Sequence, residues 1–262
     1  MGLLTGDLGS QVRVIRSATG FSRIALDGIG RVRITHADRE EVEVEAPERL
    51  MEHIEVFVEG ETLHLRLRSG LRLHHVGRLD LRFEVRAKRI GHLQIDGAGR
   101  IEADRLSGRE IGISVDGAGR IDIDRAETED ASFSIDGAGR VALHALAARK
   151  VVARVDGAGK IDLDRLECQR LETRVDGAGK LSAAGTADDA RIRVDGAGRL
   201  RLGRVESRRA SVEIAGTGSV ELSASETLAV RIDGFGRVAY HGRPELDVRT
   251  GGFGKVLSLD AP

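Results

Sequence analysis

The chain has 262 residues, of which 32% are charged, and a formal net charge of −1 at neutral pH. That balance leaves no global field to recruit nucleic acid, and 3% aromatics with no Trp disfavour base-stacking surfaces and sugar-stacking platforms alike. Cys168 stands alone, which excludes an intrachain disulfide.

At the N-terminus, Met1-Gly-Leu-Leu-Thr-Gly-Asp-Leu-Gly-Ser has no basic segment followed by an apolar core, so it does not read as a signal peptide. No run of 18 apolar residues offers a membrane span. The expectation is a cytoplasmic protein, or an exported one whose leader was removed. From residue 12 to 90 the chain alternates in strand fashion, as in Val42/Val44, Ile54/Val56/Val58, Leu63/Leu65/Leu67 and Leu79/Leu81/Phe83/Val85. One Gly-rich tetrapeptide, Asp27-Gly-Ile-Gly, occurs here. Asp27 to Asp96 is 69 residues, which predicts three to four long, irregular N-terminal coils.

Residues 91–210 carry the strongest signal. Asp-Gly-Ala-Gly recurs from Asp96, Asp116, Asp136, Asp156, Asp176 and Asp195, at spacings of 20, 20, 20, 20 and 19. A fixed period of that length marks a stacked-repeat architecture. In the unit Ile111 to Glu129, Ile111, Ile113 and Val115 alternate with polar residues before the turn, and Ile121 and Ile123 alternate after it. Period two is a half-buried strand. Leu106, Leu146, Leu166 and Leu171 are expected to turn inward where the connector rounds a corner. Two short strands cannot bury a face alone, but stacked copies can. The prediction is therefore all-β: a right-handed parallel β-helix, one single domain over 1–262, with about 20 residues per coil. Ten to twelve coils would make a rod on the order of 50 Å long. The leucine-rich-repeat consensus is absent, and a propeller blade needs about twice the length. Gly97, Gly99, Gly117, Gly119, Gly137 and Gly139 are read as supplying turn angles that other residues reach only with strain. Each preceding Asp is expected to accept hydrogen bonds from its own turn. From 211 to 262 the repeat decays to Ala215-Gly-Thr-Gly, Asp233-Gly-Phe-Gly and Gly251-Gly-Phe-Gly.

Stacking converts each repeat position into a column. Asp96, Asp116, Asp136, Asp156, Asp176 and Asp195 form one. Arg100, Arg120, Arg140, Lys160, Lys180 and Arg199, continuing to Arg237 and Lys255, form a second, broken by Ser219. Like charges ~4.8 Å apart repel by roughly 1 kcal/mol per neighbour even in water. The two columns are expected to neutralise each other. The sharper alternative makes the Arg/Lys column a linear site for a polyanion. Calcium binding is a third reading, but β-rolls of that kind repeat every nine residues. Glu102/Asp104, Asp122/Asp124 and Asp162/Asp164 point outward beside Arg105, Arg125 and Arg165, as a solvated, ion-paired face would. They could also be paired carboxylates of a polysaccharide-processing enzyme, though the repeats carry no inserted loop to form a groove. The histidines, including His74-His75, show no zinc spacing. No catalytic residue, metal or cofactor is expected.

The first stretch, Phe21-Ser-Arg-Ile-Ala-Leu-Asp-Gly-Ile-Gly-Arg-Val-Arg-Ile-Thr, followed by Val42-Glu-Val-Glu-Ala-Pro-Glu-Arg-Leu and Ile54-Glu-Val-Phe-Val-Glu-Gly-Glu-Thr-Leu-His-Leu, resembles the putative auto-transporter adhesin head GIN-domain family, from Val12 to about Leu259. The resemblance implies an exported right-handed β-helix without an established activity, and no catalytic residues carry over. The functional expectation is a non-catalytic adhesin-like or scaffold module presenting repetitive surfaces to a macromolecule, protein or glycan, with no nucleic acid. The alternative is a bactofilin-like structural protein, self-assembling end to end or side by side through apolar ends such as Val256-Leu-Ser-Leu.

Overall fold

A computed structural model describes residues 3–5, 8–68, 72–74 and 79–260; His75 lies outside them. The chain is 77% strand and 2% helix, a β-solenoid of about eight turns with about 20 residues per coil. From Arg120 onward, 18-residue strands such as Arg120–Gly137 and Arg140–Gly157 pair in parallel with the next copy, residue i on i+20. Inward alternation breaks at Asp124-Arg125, both exposed, and again near Glu129, and the ladder skips Asp124 and Glu129. These breaks give each coil three faces: A before the Gly turn, B after it, and C along the connector.

Inward columns of one residue kind fill the interior, for example Ile95, Val115, Ile135, Val155, Val175, Val194, Ile214 and Ile232 on face A. Leu106, Leu146, Leu166 and Leu171 are all buried, as the connector reading requires. Two buried side chains among the described residues are polar, Thr173 and Ser207. Thr173 is 4% exposed, and its Oγ1 has no hydrogen-bond partner.

The turn glycines divide their tasks. Gly137 sits at φ +112°, and a Cβ there would lie 2.7 Å from the Gly117 carbonyl oxygen. Gly139 lacks a positive φ. What it needs is space, because a Cβ would lie 2.5 Å from Val115 Cγ1 of the previous coil. The expectation that both glycines serve backbone angle thus holds for the first only. Turn amides are spent between coils: Ala138 N donates to Gly117 O at 2.8 Å, and Arg140 N to Gly119 O at 2.9 Å. The Asp side chains are not what closes the turn.

Where a coil is short, the loss falls away from faces A and B. In the 19-residue coil, Asp164 and Arg165 are opposed by Ala184 alone, and Gly185 takes the place of Leu166. The next contraction falls between Leu202 and Arg209.

The N-terminal region differs most from expectation. Asp27 stacks directly beneath Asp96, and Arg31 beneath Arg100, so 69 residues rise by one rung. The intervening chain folds back as a cap instead of adding coils. Glu41–Pro47 pairs antiparallel with Gln11–Arg16 and with Arg82–Ala87. After a one-turn helix, Glu48–Met51, the strands Ile54–Glu59 and Thr62–Leu67 form an antiparallel hairpin. Thr62–Leu67 then lies parallel under Arg23–Gly28, and Arg82–Ala87 under Arg31–His36. Capping strands that leave the parallel register protect an otherwise open edge. This diversion also accounts for about eight turns where ten to twelve were expected.

Candidate binding faces

Face B carries the Arg/Lys column, and the column divides in two. Arg100, Arg120, Arg140 and Lys160 are half-buried, while Lys180, Arg199, Arg237 and Lys255 are exposed. The cause lies two residues on. In the first half that outward position holds Glu102, Asp122 and Asp162. Arg100 Nε lies 2.8 Å from Glu102 and its Nη2 3.2 Å from Asp122, Arg120 Nε 2.7 Å from Asp122, Arg140 Nη2 2.8 Å and Lys160 Nζ 2.9 Å from Asp162. Burial pushes the Asp122 carboxyl up, but the Arg120 hydrogen bonds and the fields of Arg120, Arg100 and Arg140 leave it below the usual carboxylate range.

In the second half the same position holds Ser182, Arg201, Glu221, Ala239 and Leu257. No carboxylate among the described residues lies within ion-pair distance of Lys180, Arg199, Arg201, Arg204, Arg237 or Lys255. Five of these cations share face B with Glu221, which His241 approaches at 3.8 Å, and Arg204 stands beside them at the B–C corner.

The turn column is ion-paired only in its later coils, at Asp176, Asp195 and Asp233, and not by the Arg/Lys column as expected. Its partners stand two residues earlier, on face A: Arg174 Nε to Asp176 at 2.8 Å, Arg193 to Asp195 at 3.1 Å, Arg231 to Asp233 at 2.9 Å. Arg174 holds the Asp176 carboxyl below its ordinary range. The Asp156 carboxyl is pushed up by desolvation and by the neighbouring Asp176 and Asp136 carboxylates. These face-A arginines were not legible as a set, because Arg154, Arg174 and Arg193 replace Ser114 and Ser134 only in the later coils. They line an open groove of about 800 Å³ with Glu172, Glu213 and Asp247. Arginines outnumber carboxylates in it, and most are paired, Arg174, Arg193, Arg231 and Arg249 each holding a carboxylate.

The corner between faces C and A is also self-matched, opposite charges facing each other a coil apart: Arg109–Glu129 at 3.3 Å, Arg149–Asp130 at 3.0 Å, Arg209–Asp189 at 2.7 Å. Of the outward acidic pairs, Asp122 and Asp162 are each held by two cations. Asp104, Asp124 and Asp164 sit exposed at the B–C corner, with His144 Nδ1 2.7 Å from Asp164. Among the described residues no group of three or more His, Cys, Asp or Glu side chains converges as metal ligands would. No helix there is long and apolar enough to cross a membrane. Burial pushes the Cys168 thiol up to about 12, far from a reactive thiolate.

Fold and surface together define a capped parallel β-solenoid on which the second half of face B gathers a run of exposed cations without ion-pair partners among the described residues. The sequence matches the family described as putative auto-transporter adhesin, head GIN domain, over residues 20–149 and 140–244, and the chain belongs to that family. Among solved structures it is similar to a putative adhesin from Parabacteroides merdae ATCC 43184, at 18% identity and TM-score 0.79, over 98% of this chain and 99% of that one. A putative adhesin from Parabacteroides distasonis ATCC 8503 gives 18% and 0.77, over 98% and 100%. A protein of that species described as a putative lipid binding protein gives 19% and 0.71, over 99% and 100%. At these identities the likeness shows the fold. No curated protein matches the sequence.

Proposed function

We propose that the protein is a non-catalytic, adhesin-like head module that holds an anionic glycan along the second half of face B. The observation behind this reading is the run Lys180, Arg199, Arg201, Arg237 and Lys255, exposed and without carboxylate partners among the described residues, gathered along one face. Rungs ~4.8 Å apart present cations at nearly the repeat of a linear sugar chain. With 3% aromatics, recognition would rest on charge and not on ring stacking. The paired half of the ladder, Arg100 to Lys160, then serves the fold.

The test is surface plasmon resonance against heparin and hyaluronan, with neutral dextran and duplex DNA as controls, over a series of salt concentrations. Binding to an anionic glycan should weaken steeply with salt. Arg199→Glu combined with Arg201→Glu should lower affinity about tenfold or more, as charge reversal in an unscreened patch does. Binding that ignores the reversal, equal affinity for duplex DNA, or no binding to either acidic glycan would overturn the proposal.

A further inference from the structure

The two ends of the solenoid are finished differently. At the N-terminal end Leu8, Phe21, Leu50 and Ile54 are buried under the antiparallel cap. At the other end the strand Glu245–Gly252 lies on face A against Ser219–Gly234, and every one of its residues is exposed. Its inward-facing Leu246 and Val248 stack on Leu228 and Val230, which are buried, yet are themselves 44% and 42% exposed. Six of the eight large hydrophobics that remain exposed among the described residues lie at this end: Phe235, Leu246, Val248, Phe253, Leu257 and Leu259. Among the described residues nothing pairs with the outer edge of this strand. Free backbone donors and acceptors beside apolar side chains are a template for another strand.

We infer that this edge pairs antiparallel with the same strand of a second copy, about a two-fold axis at Val248, giving a head-to-head dimer. Three features select that occupant. Antiparallel partners must point to the same side of the sheet, so Glu245, Asp247 and Arg249 can face only one another or Gly251, and Leu246, Val248 and Thr250 only one another or Gly252. Five registers centre between Leu246 and Thr250. An axis at Leu246 opposes Glu245 to Asp247 twice, one at Asp247 pairs Glu245 with Arg249 but sets Asp247 on Asp247, one at Arg249 opposes two arginines, and one at Thr250 sets Arg249 on Gly251. The axis at Val248 opposes Asp247 to Arg249 of the second copy twice, with Val248 on Val248 and Leu246 on Thr250. Only that register pairs opposite charges while setting no like charges on each other among these residues, as a self-complementary isologous contact needs. Finally, the capped N-terminal end has buried most of its apolar groups, leaving only Ile15 and Ile29 exposed among the large ones described, so head-to-tail stacking would set an apolar end on a largely closed one.

The test is sedimentation velocity of the full chain over a range of concentrations, with far-UV circular dichroism confirming the fold of each variant. The wild type should dimerise reversibly. Asp247→Arg alone and Arg249→Asp alone should each weaken dimerisation about tenfold, since each turns two attractive cross-strand pairs into repulsive ones. The double exchange should restore it to within about threefold. Val248→Cys should give a covalent dimer on mild oxidation that the wild type, with half-buried Cys168 alone, does not give. A monomer at every concentration, longer head-to-tail assemblies, single reversals without effect, or an exchange that fails to restore dimers would each overturn the inference.

Discussion

The two turn glycines should fail for different reasons, and a double-mutant cycle separates them. In Gly139→Ala the new Cβ would lie 2.5 Å from Val115 Cγ1 and 3.1 Å from both Val115 Cβ and the Gly119 oxygen. That is overpacking in a close-packed interior, costing about 1–3 kcal/mol. Val115→Ala removes two buried methyl groups and costs about 2 kcal/mol. Because Cγ1 is the main obstacle, the double variant should be less destabilised than the sum by about 1–2 kcal/mol. Rescue is partial, since the two 3.1 Å approaches remain. Gly137→Ala meets the Gly117 carbonyl oxygen and an unfavourable positive φ instead. It should cost about 1–2 kcal/mol from conformation alone, and more from the clash. It should add to Val115→Ala within about 0.5 kcal/mol, there being no shared contact. Guanidinium midpoints followed by circular dichroism measure all five variants. If Gly139→Ala and Val115→Ala simply add, or if Gly137→Ala couples to Val115→Ala as strongly, the division of roles is wrong.

Other expectations concern single side chains. Thr173→Val removes a buried hydroxyl without a partner. It should raise stability by about 1 kcal/mol, read as a higher denaturation midpoint, whereas a drop would mean the hydroxyl is satisfied. Asp122 has a depressed folded pKa, so its contribution is present above the ordinary carboxylate range and lost as pH falls through the folded value. Stability measured from pH 6 down to about pH 2 should therefore lose less in Asp122→Asn than in the wild type. Cys168, with its thiol pushed up to about 12, should react with a thiol reagent at neutral pH only when the chain opens. Its labelling rate should then follow denaturant as unfolding does, and fast labelling of the native protein would contradict that.

Much of the fold was legible because the repeat imposes it. A constant interval put Asp116 on Asp136 and Ile121 on Val141 before any coordinate did. The N-terminal cap was less legible, because alternation looks the same in a coil and in a hairpin. One local signal was present: Val58-Glu59-Gly60-Glu61-Thr62 is two alternating runs joined by a two-residue turn containing Gly, which favours a hairpin. Nothing local says that Asp27 and Asp96 are neighbours; that follows from closing the edge. The surface was half legible. The Arg/Lys column could be read as a column, but which half is neutralised depends on a second column, Glu102–Asp122–Asp162 giving way to Ser182–Arg201, considered on the same face. The pairing of the turn aspartates with Arg174, Arg193 and Arg231 needed side-chain directions that spacing alone does not supply.

The five lysines of this chain, Lys88, Lys150, Lys160, Lys180 and Lys255, allow a direct test of the proposed binding face. Two lie within it, Lys160 is held by Asp162 at 2.9 Å and Lys150 by Glu172 at 3.1 Å. Acylation of the native protein, quantified by peptide mass spectrometry with and without saturating heparin, reports which of them the ligand covers. The account predicts strong protection of Lys180 and Lys255 and unchanged labelling of Lys88, Lys150 and Lys160. Equal protection of all five, or protection confined to Lys150 and Lys160, would contradict it.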